Sequence, residues 1–585
     1  MLSINIPFFV WFRRYSVSDF FKDLMAGITA ASILVPQGMA YALLANMPPI
    51  HGIYAASFPV IVAALFGSSR FLATGPVAMT ALLSASVLGG LAEPASEQWI
   101  YLMALLAILV GIIRIAIGLL RLGFIVELVS NSVVIGFTSA GALVIALSQM
   151  GHILGFKTVQ TTHILLIVVD IISKINHVHI YTLGIGILAF IIIRLAGKVS
   201  GYIPGALIAV IVTSFISYYY DLADKGVAIV GDVPQGFPIP EIPPFDYEII
   251  TKMFGGAIVV AFFGLIEAVT IAKTLAMKVG DRWNPNQELI GQGLANLVSG
   301  ILKGFPVGGS FARSSLNFYM GAVTPLSNII SGLIVILTLL YIAPAFYYLP
   351  KASLAAIVLS AVMNMVKIRD MLNLYKINRI DGIVAGITFS SVFFMDLWIA
   401  ILLGILASLG TFVYKTMYPR IVVLSRDPES NTFVNAERRN IPQCPQILYI
   451  RPNTSIYFGN AQYVYNYIVE KAKERKRRGP LKYVLIDMEA ANYIDASGSQ
   501  TIIRIIEDLK KEGIETAFAN IGCDVYLLLE NVRFDKYVRE DLVFDSKGHS
   551  IRELIKKIDY EYCRKKCPYE VFRECSMIKK GDYFR

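Results

Sequence analysis

Apolar residues run in long blocks over the first 415 or so positions, with polar ones confined to short gaps between them. A bilayer core about 30 Å thick needs about 20 apolar residues per helix, and eleven blocks meet that pattern: 27–46, 50–66, 98–120, 124–150, 180–196, 203–220, 254–277, 325–349, 352–366, 380–397 and 398–415. Two shorter segments, 73–90 and 311–322, are interrupted by glycine and proline, and 287–302 is a weaker span. Together they predict about fourteen segments. Beyond 420 the pattern changes. ILYIRPNTSIYFGNAQYVYNYIVEKAKERKRR (447–478) reads as strand, strand and amphipathic helix, and LKYVLIDMEAANYIDASGSQTIIRIIEDLKKEGIETAFANI (481–521) as strand, loop, helix and strand. The expected organisation is a membrane domain at 1–417, a linker at 418–440, an α/β domain at 441–560 and a tail at 561–585.

Composition agrees with lipid as the main solvent: 56% of residues are hydrophobic, 16% are charged, and mean hydropathy is +0.61. The net charge of +10 is not read as a nucleic-acid footprint, because the cations collect in the gaps on one side of the alternating spans. Arg13, Arg14, Lys22, Arg70, Arg121, Lys198, Lys278, Arg282, Lys367, Arg369, Lys376 and Arg379 share that side, while LAEPASEQW (91–99) and the acidic, proline-rich 221–248 lie opposite. The positive-inside rule then puts both termini in the cytoplasm and requires an even number of spans. MLSINIPFFVWFRRYS lacks a leading basic region and a small-residue cleavage site, so the first span is expected to act as its own insertion signal, placing the chain in the inner cell membrane. All five cysteines, Cys444, Cys523, Cys563, Cys567 and Cys575, lie in the polar part, which argues against an extracellular disulfide framework.

The two short segments carry the candidate chemistry. FLATGPVAMTALL (71–83) belongs to the third segment and GGSFARSSLN (308–317) opens the tenth, the corresponding places in a 7+7 inverted repeat. Half-helix N-termini there present free N–H groups and partial positive charge, which suit an anion. Arg313 adds a full charge, at a cost that demands a partner. Glu267 lies mid-span in AIVVAFFGLIEAVTIAKTLAM (257–277), where it must pair with a cation, Arg313 or Lys273, or take up a proton. Pro36 frees backbone groups in the first span, and Gln37 and Tyr41, four residues apart, share one helix face. The bland alternatives are an interfacial arginine, a structural ion pair and interhelical hydrogen bonds. The spans hold no metalloprotease motif, no paired metal-ligand histidines and no nucleophile motif, so an enzyme is not expected, nor is a cofactor.

The stretches VPQGMAYALLANMPPIHGIYAA (35–56), GSSRFLATGPVAMTAL (67–82), LIEAVTIAKTLA (265–276) and GGSFARSSLN (308–317) resemble the sulfate permease family of anion transporters, in family order and spacing. The resemblance implies a core and a gate domain, commonly a homodimer in lipid, with the anion between the third and tenth helices. By the same resemblance Gln37 and Tyr41 line the pocket, the backbone around Val77, Ala78, Ala312 and Arg313 contacts the anion, and Glu267 matches the carboxylate associated with proton coupling. Many sulfate-carrying relatives have serine where this chain has Ala312. The reading is proton-coupled sulfate uptake, with a bicarbonate or dicarboxylate symporter, or an uncoupled anion channel or exchanger, as alternatives.

The α/β region resembles a STAS domain, which implies a cytoplasmic partner and a regulatory phosphosite at Ser497, although Asp495 and Ser497 also suit helix capping. KERKRR (473–478) reads as a solvated helix end that would also suit anionic lipid. Cys563, Cys567 and Cys575 could hold a metal or an iron–sulfur cluster if Cys523 or Cys444 completed the set.

Overall fold

The computed structural model describes residues 15–580 apart from 160, 162–163, 200–202 and 245. Arg13 and Arg14, used above for orientation, lie outside the described residues, as does 581–585 of the tail. The chain divides into two compact units, Met1–Leu409 and Gly410–Arg585.

Among the described residues the first unit, with the helix that leaves it, holds fourteen segments in the expected order. They are Val17–Leu44, Ile50–Phe66, strand β1 (Thr74–Gly75) with half-helix Ala78–Leu88, Glu97–Leu119, Asn131–Leu154, Ile180–Val199, Gly205–Tyr219, Tyr247–Val279, Pro285–Ile301, strand β2 (Gly308–Gly309) with half-helix Phe311–Tyr319, Leu326–Phe346, Lys351–Val362, Arg379–Ser391 and Leu397–Met417. The first starts at a capping box, in which Ser16 and Asp19 satisfy each other's backbone N–H groups. The second is broken at Ser57, whose hydroxyl donates to the Tyr54 carbonyl at 2.7 Å.

Several boundaries differ from expectation. The fifth helix begins at Asn131, because 123–128 forms a separate 3-10 turn. Short helices at Ile164–Ser173 and Ile368–Ile377, not anticipated, lie between segments; the first is too short to span and the second has charges on its outer face. Segments one to four pack with eight to eleven, and five to seven with twelve and thirteen, while Gly404 of the fourteenth lies against Thr388 and Val133. That is the core-and-gate division of a 7+7 inverted repeat. β1 and β2 join the repeats as an antiparallel ribbon, Thr74 opposite Gly309 and Gly75 opposite Gly308.

The second unit is a six-stranded sheet of order β4-β3-β5-β6-β7-β8: β3 Ile421–Arg426, β4 Phe433–Asn435, β5 Ile447–Pro452, β6 Tyr483–Asp487, β7 Glu515–Ala519 and β8 Val543–Phe544. β5 to β8 are parallel, with helices Ala461–Arg478 and Ala496–Lys511 as the crossovers between β5, β6 and β7. Residues 418–440, expected as a linker, instead supply β3 and β4. The apolar run IVVL is buried in the sheet, and the polar turn after it hid the strand pair. The tail is likewise part of this unit, since Val571, Phe572 and Ile578 are buried in the core of the sheet domain.

Candidate anion-binding site

The ribbon brings the N-terminal ends of two half-helices together. Val77, the N-cap of the third-segment half-helix, is extended and offers no side-chain cap, so the first N–H groups of that helix lack an intrahelical partner. In the tenth segment Ser310 caps the helix, its hydroxyl accepting from the Arg313 N–H at 3.4 Å. The two ends are stitched together: Ser310 N–H donates to the Ala73 carbonyl at 2.9 Å, and Ala73 N–H to the Ser314 hydroxyl at 2.8 Å. β2 must be glycine where it crosses the eighth helix. A Cβ on Gly309 would meet the Ala268 backbone at 3.0 Å and Leu72 at 2.9 Å.

Irregular backbone at this depth must find partners inside the protein. Asn296 clamps Val307, accepting its N–H and donating to its carbonyl, both at 3.0 Å. Glu288, buried in the ninth helix, accepts from the N–H groups of Ser68 and Ser69 at 2.8 Å each, and Gln292 donates to the Thr74 hydroxyl. These contacts hold the approach to each half-helix in place.

Arg313 is 1% exposed. Its Nη1 donates to Gln37 Oε1 at 3.3 Å and its Nη2 to the Pro76 carbonyl at 3.0 Å, while its buried Nε has no partner. Tyr41 is buried and acted on by the charges of both Arg313 and Glu267. Val77 and Ala78 are buried beside them, whereas Ala312 is exposed at the start of its helix. Glu267 Oε2 is buried without a hydrogen bond. Arg114 and Arg313 are the charges acting on it. Lys273, the other expected partner, is exposed and not among them.

Arg114 was not singled out in the sequence. Its 0% exposed guanidinium donates to the Val307 carbonyl at 2.7 Å and to those of Ala261 and Val260 at 3.4 Å, and it lies so close over Gly264 that a Cβ there would meet Nη2 at 2.0 Å. An arginine inside the apolar run LVGIIRIAIGLL was the signal available.

A cavity of about 820 Å³ lies between the core and gate helices. Leu82, Ala85, Ser86 and Gly89 line it along one face of the third-segment half-helix, with His152 and Lys351 across from them. None of the predicted site residues lines it. Ala78, one turn before Leu82, continues the same helix face.

In the second unit Asp495, not Ser497, caps helix Ala496–Lys511, accepting from the Gly498 N–H at 2.7 Å; Ser497 is exposed in the first turn. Cys563, Cys567 and Cys575 line one pocket together with Cys444, whereas Cys523 is exposed at the start of another helix.

A polytopic carrier with an anion-suited pair of broken helices at the centre of an inverted repeat is the class that this fold and geometry define. The sulfate permease family matches residues 20–388 and the STAS domain residues 438–549. Over 554 residues the chain is 35% identical to "Sulfate transporter 4.1, chloroplastic" of Arabidopsis thaliana, covering 89% of this chain and 78% of that protein. It is 30% identical over 569 residues to "High affinity sulfate transporter 2" of Stylosanthes hamata, covering 93% and 85%. The fold matches that of murine Slc26a9, an anion transporter solved in the inward-facing state, with TM-score 0.86 and 24% identity over 95% of this chain and 94% of that one. The transmembrane domain of the cyanobacterial bicarbonate transporter BicA matches with TM-score 0.59 and 22% identity over 68% and 99%. The chain belongs to the sulfate permease family and carries a STAS domain; it is a multi-pass membrane protein that transports anions, not an enzyme.

Proposed function

We propose that the chain carries sulfate inward together with a proton, the anion binding where the two half-helices meet. The observation that supports this most is the pairing of a fully buried Arg313, its Nε unpartnered, with a buried Glu267 oxygen that also lacks a hydrogen bond. A buried unmet donor and a buried unmet acceptor are expensive unless a ligand and a proton serve them. Arg313, with the N–H groups around Val77, Ala78 and Ala312, holds the anion; Gln37 orients the guanidinium, and Tyr41 walls the site. Glu267 carries the proton, and Arg114 stabilises its ionised form. Glutamate here, acted on by two arginines, suits a proton better than sodium, which needs several oxygen ligands. Movement of the core against the gate exposes the site to each side in turn, with the protein a homodimer in the inner cell membrane and both termini cytoplasmic. Ser497, exposed beside a helix N-terminus, is the proposed phosphosite, and the STAS surface around it is proposed to receive a cytoplasmic partner.

The test is uptake of labelled sulfate into proteoliposomes with and without an inward proton gradient, for wild type and Glu267→Gln. Gradient-stimulated uptake that the substitution abolishes supports the reading. Absence of sulfate uptake in both conditions overturns it, and the same vesicles are then offered bicarbonate, fumarate and chloride.

A further inference from the structure

The transport mechanism makes no use of the cysteines. Four of the five converge from three separate stretches of chain: Cys444 on the turn before β5, Cys563 on helix Tyr560–Lys565, Cys567 just after it, and Cys575 on helix Arg573–Lys580. They line a void of about 10 Å³, room for one water-sized occupant.

The surroundings are arranged toward the sulfurs. The N–H groups of Gln446 and Ile447, two and three residues on, point back onto Cys444 Sγ, a turn favoured by Pro445. Phe572 N–H donates to Cys575 Sγ at 3.4 Å, and Gln446 Nε2 to Cys563 Sγ at 3.2 Å. The buried Gln446 also ties the two stretches together, donating to the Asp559 carbonyl at 3.0 Å and accepting its N–H at 2.8 Å. Arg475 donates to the Cys444 carbonyl at 2.9 Å, and Lys579 stands at the pocket wall. N–H donors on sulfur, with cations just outside, are what a metal–thiolate centre needs to spread its negative charge.

We propose that Cys444, Cys563, Cys567 and Cys575 form a four-thiolate site for a single soft divalent ion, zinc or ferrous iron. Four sulfurs match tetrahedral coordination, and a void of this size favours one ion over a multi-iron cluster. Among the described residues no group of three such side chains is already arranged to hold a metal ion, so the site as proposed forms only as the ion binds. The step involves no oxidation: four thiols give up four protons to solvent and the ion accepts four thiolate bonds. Ligation needs the thiolate form, so binding releases protons and tightens as pH rises. The site would fasten the tail to the turn before β5.

The test uses the full chain in detergent, reduced, stripped with chelator and titrated with Co²⁺. Thiolate-to-cobalt absorption saturating at one ion per chain is expected, displaced by Zn²⁺. Cys444→Ser and Cys567→Ser abolish it, Gln446→Ala weakens it about 10–100-fold, and Cys523→Ser leaves it unchanged. Because a cysteine variant can fail to fold, wild type is also alkylated with and without Zn²⁺: the four pocket thiols are protected and Cys523 is not. No thiolate absorption together with no protection overturns the proposal. So does full binding by folded Cys444→Ser, a disulfide among the four, or iron accompanied by acid-labile sulfide.

Discussion

Arg313 and Gln37, 276 residues apart in sequence, meet through a 3.3 Å hydrogen bond from Nη1 to Oε1. The bond crosses from the tenth segment to the first, so each repeat supplies one half of the contact. Pro36 just before Gln37 interrupts the helix ladder at this depth, and the Pro76 carbonyl takes the second guanidinium bond. A planar fork bonded at two places cannot be replaced by a point charge.

Arg313→Lys is therefore expected to raise the KM for the transported anion, and Arg313→Gln to abolish uptake. Loss of a hydrogen bond in a buried polar set costs about 1–3 kcal/mol, roughly a 10–100-fold change in affinity. Initial uptake rates against anion concentration check this, with expression level measured alongside. A lysine variant of unchanged KM would remove the guanidinium from the site.

The charges on Glu267 come from Arg114 and Arg313. Arg114→Gln leaves that carboxylate less compensated and empties three carbonyl contacts; breaking a buried charge set from one side costs about 3–5 kcal/mol. Glu267→Gln added to Arg114→Gln is expected to recover part of that loss in thermal stability without restoring gradient-driven uptake. Purely additive stability losses would show that the two side chains do not interact.

Gly52 sits where the second helix crosses the first, and a Cβ there would meet the Gly38 carbonyl oxygen at 1.9 Å, beside Gln37. Backbone against backbone cannot yield without separating the helices. Gly52→Ala is expected to cost at least about 1–3 kcal/mol and to displace Gln37 from Arg313. Gly184→Ala, where nothing lies within 4 Å of the added carbon, is the tolerated control. Melting temperatures in detergent separate the two.

In the STAS unit, hydrogen bonds from Arg539 and then from Lys557 hold the Asp541 carboxyl down to about 2. A depressed folded value means the contribution is present above the unfolded value near 4 and is lost as pH falls toward 2. The pair is half exposed, so the effect is small, about 0.2–1 kcal/mol. Hydrogen-exchange protection factors over 539–557, corrected for the intrinsic rate at each pH, are expected to fall between those pH values in wild type and to change less in Asp541→Asn.

Spans and strands were legible because each is a local pattern. Twenty apolar residues must cross or be buried whatever their neighbours, and the broken segments at 73–90 and 311–322 announced themselves by glycine and proline. Motifs carried Gln37, Tyr41, Glu267 and Arg313 to one place, and the structure brings the four together. Arg114 escaped because its meaning lies in the carbonyls of Val307, Ala261 and Val260, all more than 140 positions away. β3 and β4 are not legible in the sequence because short strands owe their existence to partners, here β5, rather than to any period of their own.

By itself, then, the sequence determined what had to be buried: the membrane segments, the α/β alternation and a costly arginine and glutamate inside the apolar region. Those follow from transfer free energies that each residue carries with it. Only the tertiary structure decided what lies together: Thr74 opposite Gly309, Arg114 as well as Arg313 near Glu267, and Cys444 in one pocket with the three tail cysteines instead of Cys523. Pairing depends on which backbones can approach closely enough, a property of the packed whole.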